Sequence, residues 1–253
     1  MVRLIYILSL GSFAFIFGGI QSCSSPLKLV QSEGSYITLT TSAEDSTVAL
    51  LLNPYKDSVQ KSMGKVLCSS EEALPKIKGE AETALGNLMS DIVLNEGQKM
   101  HKEVQLSVLN LGGIRASLPQ GNIRLGDVYS LMPFDNRIVL IRLGKKEIHE
   151  MVQYIGNHLG TPFSGMALRC REGNWLGEIQ GVSAEASDSI LVATSDFLAQ
   201  GGDKMNFFLK GRIVHDQGKL LRESIVDYLI SIDSKGQRLS KALDYRIQPC
   251  TTP

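Results

Sequence analysis

The chain has 253 residues, 43% of them hydrophobic, and its 26 lysines and arginines balance 26 aspartates and glutamates. That length suits one large domain or two small ones, and the apolar content excludes a disordered chain. The balanced charge excludes a general field for a long phosphate backbone, so nucleic-acid polymers are not expected partners and any anion must be held locally.

Arg3 precedes an apolar run over residues 4–20 that ends at Ile20-Gln21-Ser22-Cys23. A short positive start before an apolar run reads as an export signal. Its ending resembles a lipobox, in which cleavage leaves Cys23 as the lipidated first residue. A transmembrane helix is the alternative, because the run is close to the ~17-residue minimum for a span. Residues 1–23 are thus expected to form a lipoprotein signal peptide, 24–33 a polar tether and 34–250 a folded domain. The expected location is the cell envelope, lipid-anchored in the periplasm or at the outer membrane. Setting Cys23 aside leaves Cys68, Cys170 and Cys250. An odd number leaves one unpaired, and spacing does not choose the pair. No CxxC spacing calls for zinc.

Residues 36–40 alternate as a short strand does, and 48–63 carry Leu51, Leu52, Tyr55 and Val59 near helical spacing. A short strand is expected at 65–69. A helix follows over 83–97, with Leu85, Leu88, Met89, Ile92 and Val93 as its stripe and Gly97 as its stop. An apolar strand over 104–109 runs into a glycine turn. A short helix at 125–131, a strand at 137–143 and a helix at 145–159 come next. Strand-like pieces fall at 165–172, 176–183 and 189–195, a turn at 200–203, and a last helix at 220–230. The alternation through a single region predicts an α/β domain.

Three segments offer chemistry. Asn110-Leu111-Gly112-Gly113-Ile114-Arg115 places two glycines at a strand end. Without a Cβ in the way, a ligand can approach the backbone N–H groups, and Arg115 can hold phosphate with its planar fork. Pro133-Phe134-Asp135-Asn136 puts an aromatic ring between short polar residues, where it can stack on a flat base. The segment from Thr194 to Asp203 carries Phe197 ahead of Gly201-Gly202-Asp203, and a carboxylate suits two ribose hydroxyls. Taken singly, each has a plainer reading: a tight turn with a solvated arginine, a core phenylalanine, or an aspartate-capped turn.

Together, these segments resemble the C-terminal domain of the 5′-nucleotidase family, which includes related UDP-sugar hydrolases. Three further blocks strengthen the resemblance. Glu82-Thr83-Ala84-Leu85-Gly86-Asn87-Leu88-Met89-Ser90-Asp91 is similar to the family's opening helix, Leu125-Gly126-Asp127-Val128-Tyr129 with Pro133-Phe134 to its middle block, and Ser164-Gly165-Met166 to its Ser-Gly-Leu block. The resemblance implies a single layered α/β domain of mixed sheets flanked by helices, in α/β/β/α order. It also implies that Phe134 and Phe197 sandwich the base and that Asp203 holds the ribose. Asn110 and the backbone at Gly112 and Gly113 would contact the base edge or position the ring, and Arg115 would reach towards the ribose and the phosphate side. Two departures stand out. Leu111 replaces a family glycine, and Lys76-Ile77-Lys78-Gly79-Glu80-Ala81-Glu82 stands where an arginine is common, with Lys78 as a point-charge substitute. Base recognition is thus implied more firmly than phosphate contact.

The family's hydrolytic unit holds two metal ions about 3.5–4 Å apart. Of the histidines here, His101, His149, His158 and His215, none belongs to an Asp-x-His pair near the N-terminus. Gly156-Asn157-His158 mimics one metal fragment but lacks the following acid. Ser164-Gly165 lacks the Gly-x-Ser-x-Gly elbow, and Gly201-Gly202-Asp203-Lys204 is no P-loop. No catalytic residue and no metal or other cofactor is therefore assigned to this chain. The expected function is substrate recognition in extracytoplasmic nucleotide catabolism. An exported, separately encoded metallophosphoesterase is the expected partner and supplies the divalent metals. The alternative is a surface lipoprotein that binds nucleosides or nucleotides without cutting them.

Overall fold

A computed structural model describes Gly34, Tyr36 and residues 45–250. The export run, the lipobox with Cys23, the tether and most of the expected strand at 36–40 lie outside the described residues. The first helix, α1 (Ser46–Met63), buries none of its residues. After it come β1 (Val66–Ser70), α2 (Ala84–Met100), β2 (Val104–Val108), β3 (Gly121–Arg124), α3 (Leu125–Leu131), β4 (Ile138–Gly144) and α4 (Lys145–Asn157). The second half holds β5 (Phe163–Ser164), β6 (Ala167–Arg171), β7 (Asn174–Ile179), β8 (Val182–Ser183), β9 (Ser189–Ser195), α5 (Asp196–Ala199), β10 (Arg212–His215), α6 (Leu221–Ser234) and β11 (Ile247–Gln248). The class is α/β with mixed sheets and flanking helices.

The centre is a five-stranded sheet ordered β10-β4-β9-β2-β5. Strands β4 and β9 pair antiparallel along their whole length, and β2 runs parallel to β9. Both β4 and β9 are nearly continuous apolar runs, as a strand covered on both faces requires. Their side chains alternate between two cores. Ile138, Leu140, Leu191 and Ala193 face a core shared with α2 and α6. Val139, Ile141, Ile190 and Val192 face the other, with Ile148, Met151 and Val152 of α4 and Trp175 of β7. Helix α4 thus packs on the central sheet and also on a four-stranded sheet, β11-β6-β7-β8. In β2, Val104 joins the first core while Leu106 and Val108 join the second. A register shift between Val104 and Leu106 explains the change of face, since one extra residue reverses a period of two.

Several boundaries differ from the sequence expectation. Gly97 does not stop α2, which continues to Met100. A Cβ at Gly97 would stand 2.7 Å from the Ala193 methyl and 3.2 Å from Val104 Cγ1, so this glycine lets the helix approach the sheet. Gly165 (φ +88) separates β5 from β6, because a Cβ there would stand 2.0 Å from the Gln105 carbonyl oxygen. The expected strand at 176–183 is a hairpin instead, turned by Gln180 and Gly181 at positive φ. Strands β3, β10 and β11 carried no readable alternation. Cys170 and Cys250 form a disulfide across 80 residues of sequence. Cys68 is free and buried, and burial, followed by the charge of Asp233, pushes its thiol up to about 11.

Candidate ligand-binding cleft

Asn110 leaves the end of β2 in extended conformation and opens a single 3₁₀ turn, Leu111–Gly113. Its side-chain Nδ2 donates to Asp203 Oδ2 at 2.5 Å. The glycines make room for that pair. A Cβ at Gly113 would stand 2.9 Å from Asn110 Oδ1, and one at Gly112 would stand 3.3 Å from Asn110 Nδ2 and 3.4 Å from Asp203 Oδ2. Arg115 turns back so that its Nη1 donates to the Gly112 carbonyl at 3.3 Å, with its guanidinium 6.0 Å from the Phe134 ring centroid.

Phe197 projects from α5, a four-residue helix whose N-cap Ser195 accepts the Leu198 N–H. The ring lies against Gly202, where a Cβ would come within 2.4 Å of Phe197 Cε1. That close approach explains the second glycine of the Gly-Gly-Asp turn. Asp203 sits at φ +50, in the left-handed region that aspartate tolerates better than most residues. Its backbone carbonyl accepts the Tyr154 hydroxyl at 2.7 Å. Burial, followed by the charge of Asp203, raises the Tyr154 phenol above its ordinary value. Both phenylalanines are substantially open, Phe134 at 42% and Phe197 at 46% exposure. The plainer reading of Phe134 as a core residue therefore does not hold.

All seven residues singled out from sequence line one cleft of about 280 Å³: Asn110, Gly112, Gly113, Arg115, Phe134, Phe197 and Asp203. Asn136 joins them. It belongs to the Pro-Phe-Asp-Asn motif. Tyr154 also fastens the site, through the Asp203 carbonyl, and lies on a helix with no local signal, 49 residues from its partner. Leu111 is absent from the lining. Its Cδ2 lies beside Gly160, 3.6 Å from where a Cβ would stand, so the side chain points away from the cleft.

The segment before α2 brings positive charge to Arg115. Leu74 pairs with Leu118 across an antiparallel bridge, and the Lys76 N–H donates to Ser117 Oγ at 2.9 Å. Burial, then the charges of Arg115 and Lys78, lowers the Lys76 ammonium below the usual lysine range. None of these three cations has a carboxylate partner among the described residues.

Two of the sequence blocks do not reach the cleft. Ser164 Oγ donates to Asp91 Oδ1 at 2.6 Å, and Arg246 Nη1 donates to the same carboxylate oxygen at 3.0 Å. Lys241 pairs with Asp91 Oδ2 at 2.8 Å, while Asn87 bridges Glu82 and Asp244. Burial opposes the charge of Asp91, but hydrogen bonds from Arg246, Lys241 and Ser164 overcome it and hold the carboxyl below the usual range. The Gly156-Asn157-His158 fragment is occupied by packing. Gly156 lies under the Trp175 ring, Asn157 Oδ1 accepts Trp175 Nε1–H at 3.2 Å, and His158 stacks on Tyr154 at 4.1 Å. Among the described residues, no group of three or more His, Cys, Asp or Glu side chains is placed to hold a metal ion.

Residues 70–210 match the family model described as 5′-nucleotidase, C-terminal domain. The chain belongs to that family, and every sequence-assigned cleft residue lies inside the match. Over 189 residues it is 27% identical to the trifunctional nucleotide phosphoesterase protein YfkN of Bacillus subtilis, an overlap of 68% of this chain and 13% of that protein. The 5′-nucleotidase precursor of Thermus thermophilus superposes with a TM-score of 0.65 at 27% identity, over 83% of this chain and 44% of that one. The NAD nucleotidase of Haemophilus influenzae shares the fold, with a TM-score of 0.59 at 18% identity over 82% of this chain and 42% of that one. The chain thus spans less than half the length of each of these relatives.

Proposed function

We propose that the cleft binds the nucleoside part of a nucleotide, and that this chain is the substrate-recognition part of a nucleotide-cleaving enzyme outside the cytoplasm. The observation that carries this reading is the convergence of two open phenylalanine rings and the Asp203–Asn110 pair on one cleft. The rings offer π-faces to a base, at about 1–3 kcal/mol for each stack. Asp203 Oδ2 is engaged by Asn110, which orients the carboxylate and leaves Oδ1 to accept from ribose hydroxyls. Arg115, with Lys76 and Lys78 behind it, supplies the charge for a phosphate group.

The cleft does not suit a two-metal centre. Its one carboxylate is Asp203, and no histidine lines it. In this proposal a separately encoded, exported metallophosphoesterase holds the divalent metals and performs the cut. The chain itself is anchored to the envelope by lipid on Cys23.

Calorimetry with adenosine, AMP and a UDP-sugar tests the cleft. Absence of binding to all three removes the recognition reading. Phosphate release from AMP, measured with the chain alone and with an exported metallophosphoesterase of the same organism, tests the division of labour. Stimulation by the mixture is expected. Tight binding without stimulation transfers the reading to a nucleotide-capturing lipoprotein. Incorporation of labelled fatty acid, lost in Cys23→Ser, tests the anchor.

A further inference from the structure

Phe134 needs support that its own loop does not supply. The ring is 42% exposed, and both Pro133 and Asp135 beside it are exposed. Apart from the Arg115 guanidinium, 6.0 Å from the ring centroid, little packing therefore fixes the angle at which the ring enters the cleft. The support comes from α6, from a residue outside the family match.

Arg222 stands in the first turn of α6 with its side chain only 11% exposed. Its Nη1 donates to the carbonyl oxygens of Met132 and Phe134, each at 3.3 Å. Its Nη2 pairs with the Asp135 carboxylate. The guanidinium lies 4.3 Å from the centroid of the Tyr129 ring on α3. One side chain thus ties the carbonyls before and after Pro133, holds the carboxylate that follows Phe134, and is itself stacked on an aromatic ring. A planar guanidinium with five fixed donors can meet these partners at once, whereas a lysine ammonium has no plane to stack.

The loop has other anchors. The Leu221 N–H donates to the Asn136 carbonyl at 2.9 Å, the Asp196 N–H to the Arg137 carbonyl at 2.9 Å, and Arg137 Nη1 to the Gly218 carbonyl at 3.1 Å. These fix the end of the loop at Asn136 and Arg137. They do not touch the peptide of Phe134. Loss of Arg222 therefore leaves the loop attached but frees the ring-bearing residue.

We propose that Arg222 is a positioning residue that sets the base-stacking ring of Phe134, an inference that rests on the cleft binding a nucleoside. It acts through Phe134 and has no contact of its own with the ligand. Adenosine affinity measured by calorimetry on the full chain is the test, for Arg222→Lys, Asp135→Asn, Phe134→Ala and the double variants. Arg222→Lys keeps the charge and loses the fork, and binding is expected to weaken about fivefold or more. Asp135→Asn, at a side chain 76% exposed, leaves the fold intact and is expected to weaken binding less. In the Phe134→Ala background, neither change is expected to have any further effect. Additive losses there overturn the proposal, because Arg222 then acts independently of the ring. If Phe134→Ala alone leaves adenosine binding unchanged, the stacking reading falls first and the proposal with it.

A second measurement needs no ligand. In a fluorophenylalanine-labelled chain, Arg222→Lys is expected to shift or broaden the Phe134 fluorine resonance and leave the Phe197 resonance in place. An unmoved Phe134 resonance in the folded variant overturns the proposal whether or not nucleosides bind.

Discussion

Two polar clusters, each drawing on residues far apart in the chain, meet opposite fates. In the cleft, Asn110 and Asp203 form a pair, and two open phenylalanine rings, Phe134 and Phe197, line the same cleft. Away from the cleft, Asp91, Arg246, Asp244 and Lys241 are tied to one another and to Ser164. The first cluster leaves hydrogen-bonding capacity and apolar surface open. The second uses its capacity internally, and Arg246 is only 10% exposed. The difference teaches that the sequence blocks divide into those that line the cleft and those that fasten the fold elsewhere. Blocks of both kinds are polar and glycine-containing, so composition alone does not separate them.

The comparison is most easily broken at the fastening cluster. Arg246→Ala leaves Asp91 half-buried without its main partner, and the expected loss of stability is about 3 kcal/mol in chemical unfolding. Adenosine affinity of the folded fraction should be unchanged. A loss of binding as large as the loss of stability would merge the two clusters into one. The same cluster has a pH signature. The Asp91 and Asp244 carboxyls lie below the usual range in the folded state, so the unfolded chain takes up their protons first on acidification. Their contribution is whole above about pH 4 and fades as the pH falls further through the folded values. Unfolding midpoints measured at descending pH should drop in that window, and by less in Asp91→Asn.

Phe197→Ala tests the cleft in the opposite sense. About 1–3 kcal/mol of nucleoside affinity should disappear, with little change in melting, since the ring is 46% exposed. Gly202→Ala is a finer probe. Its added methyl meets the Phe197 ring and must displace it, for an expected affinity loss of about 1 kcal/mol. That loss should vanish in the Phe197→Ala background; a persistent one would mean that Gly202 serves the ligand directly. The smallest effect belongs to Leu111→Gly. Because Leu111 points at Gly160, restoring the family's glycine should change nucleoside affinity by no more than about 0.5 kcal/mol.

Much of this division was readable in part. The strand-turn signature at Asn110-Leu111-Gly112-Gly113, the proline-fixed Phe134 and the Gly201-Gly202-Asp203 turn are local patterns, and all converge on the cleft. Gly97 departs from its local pattern for a related reason. A glycine near a helix end looks like a stop, and only the Ala193 methyl across the interface shows that it is a packing contact. Arg222 carries no local sign of its role, because its four partners, Tyr129, Met132, Phe134 and Asp135, lie far back in the chain.

The sequence by itself determined the α/β class, most helices and strands, and the local motifs that line the cleft. Those properties follow from periodicity, turn chemistry and side-chain type, which are local. Tertiary structure alone decided that Asn110 meets Asp203 across 93 residues and that Cys170 takes Cys250. It also decided that Ser164 fastens Asp91 and that Arg222 reaches the Phe134 loop. The physical reason is that a polar side chain's role is set by whichever group satisfies it. That group is chosen by the packing of sheets and helices, at separations that no spacing along the chain encodes.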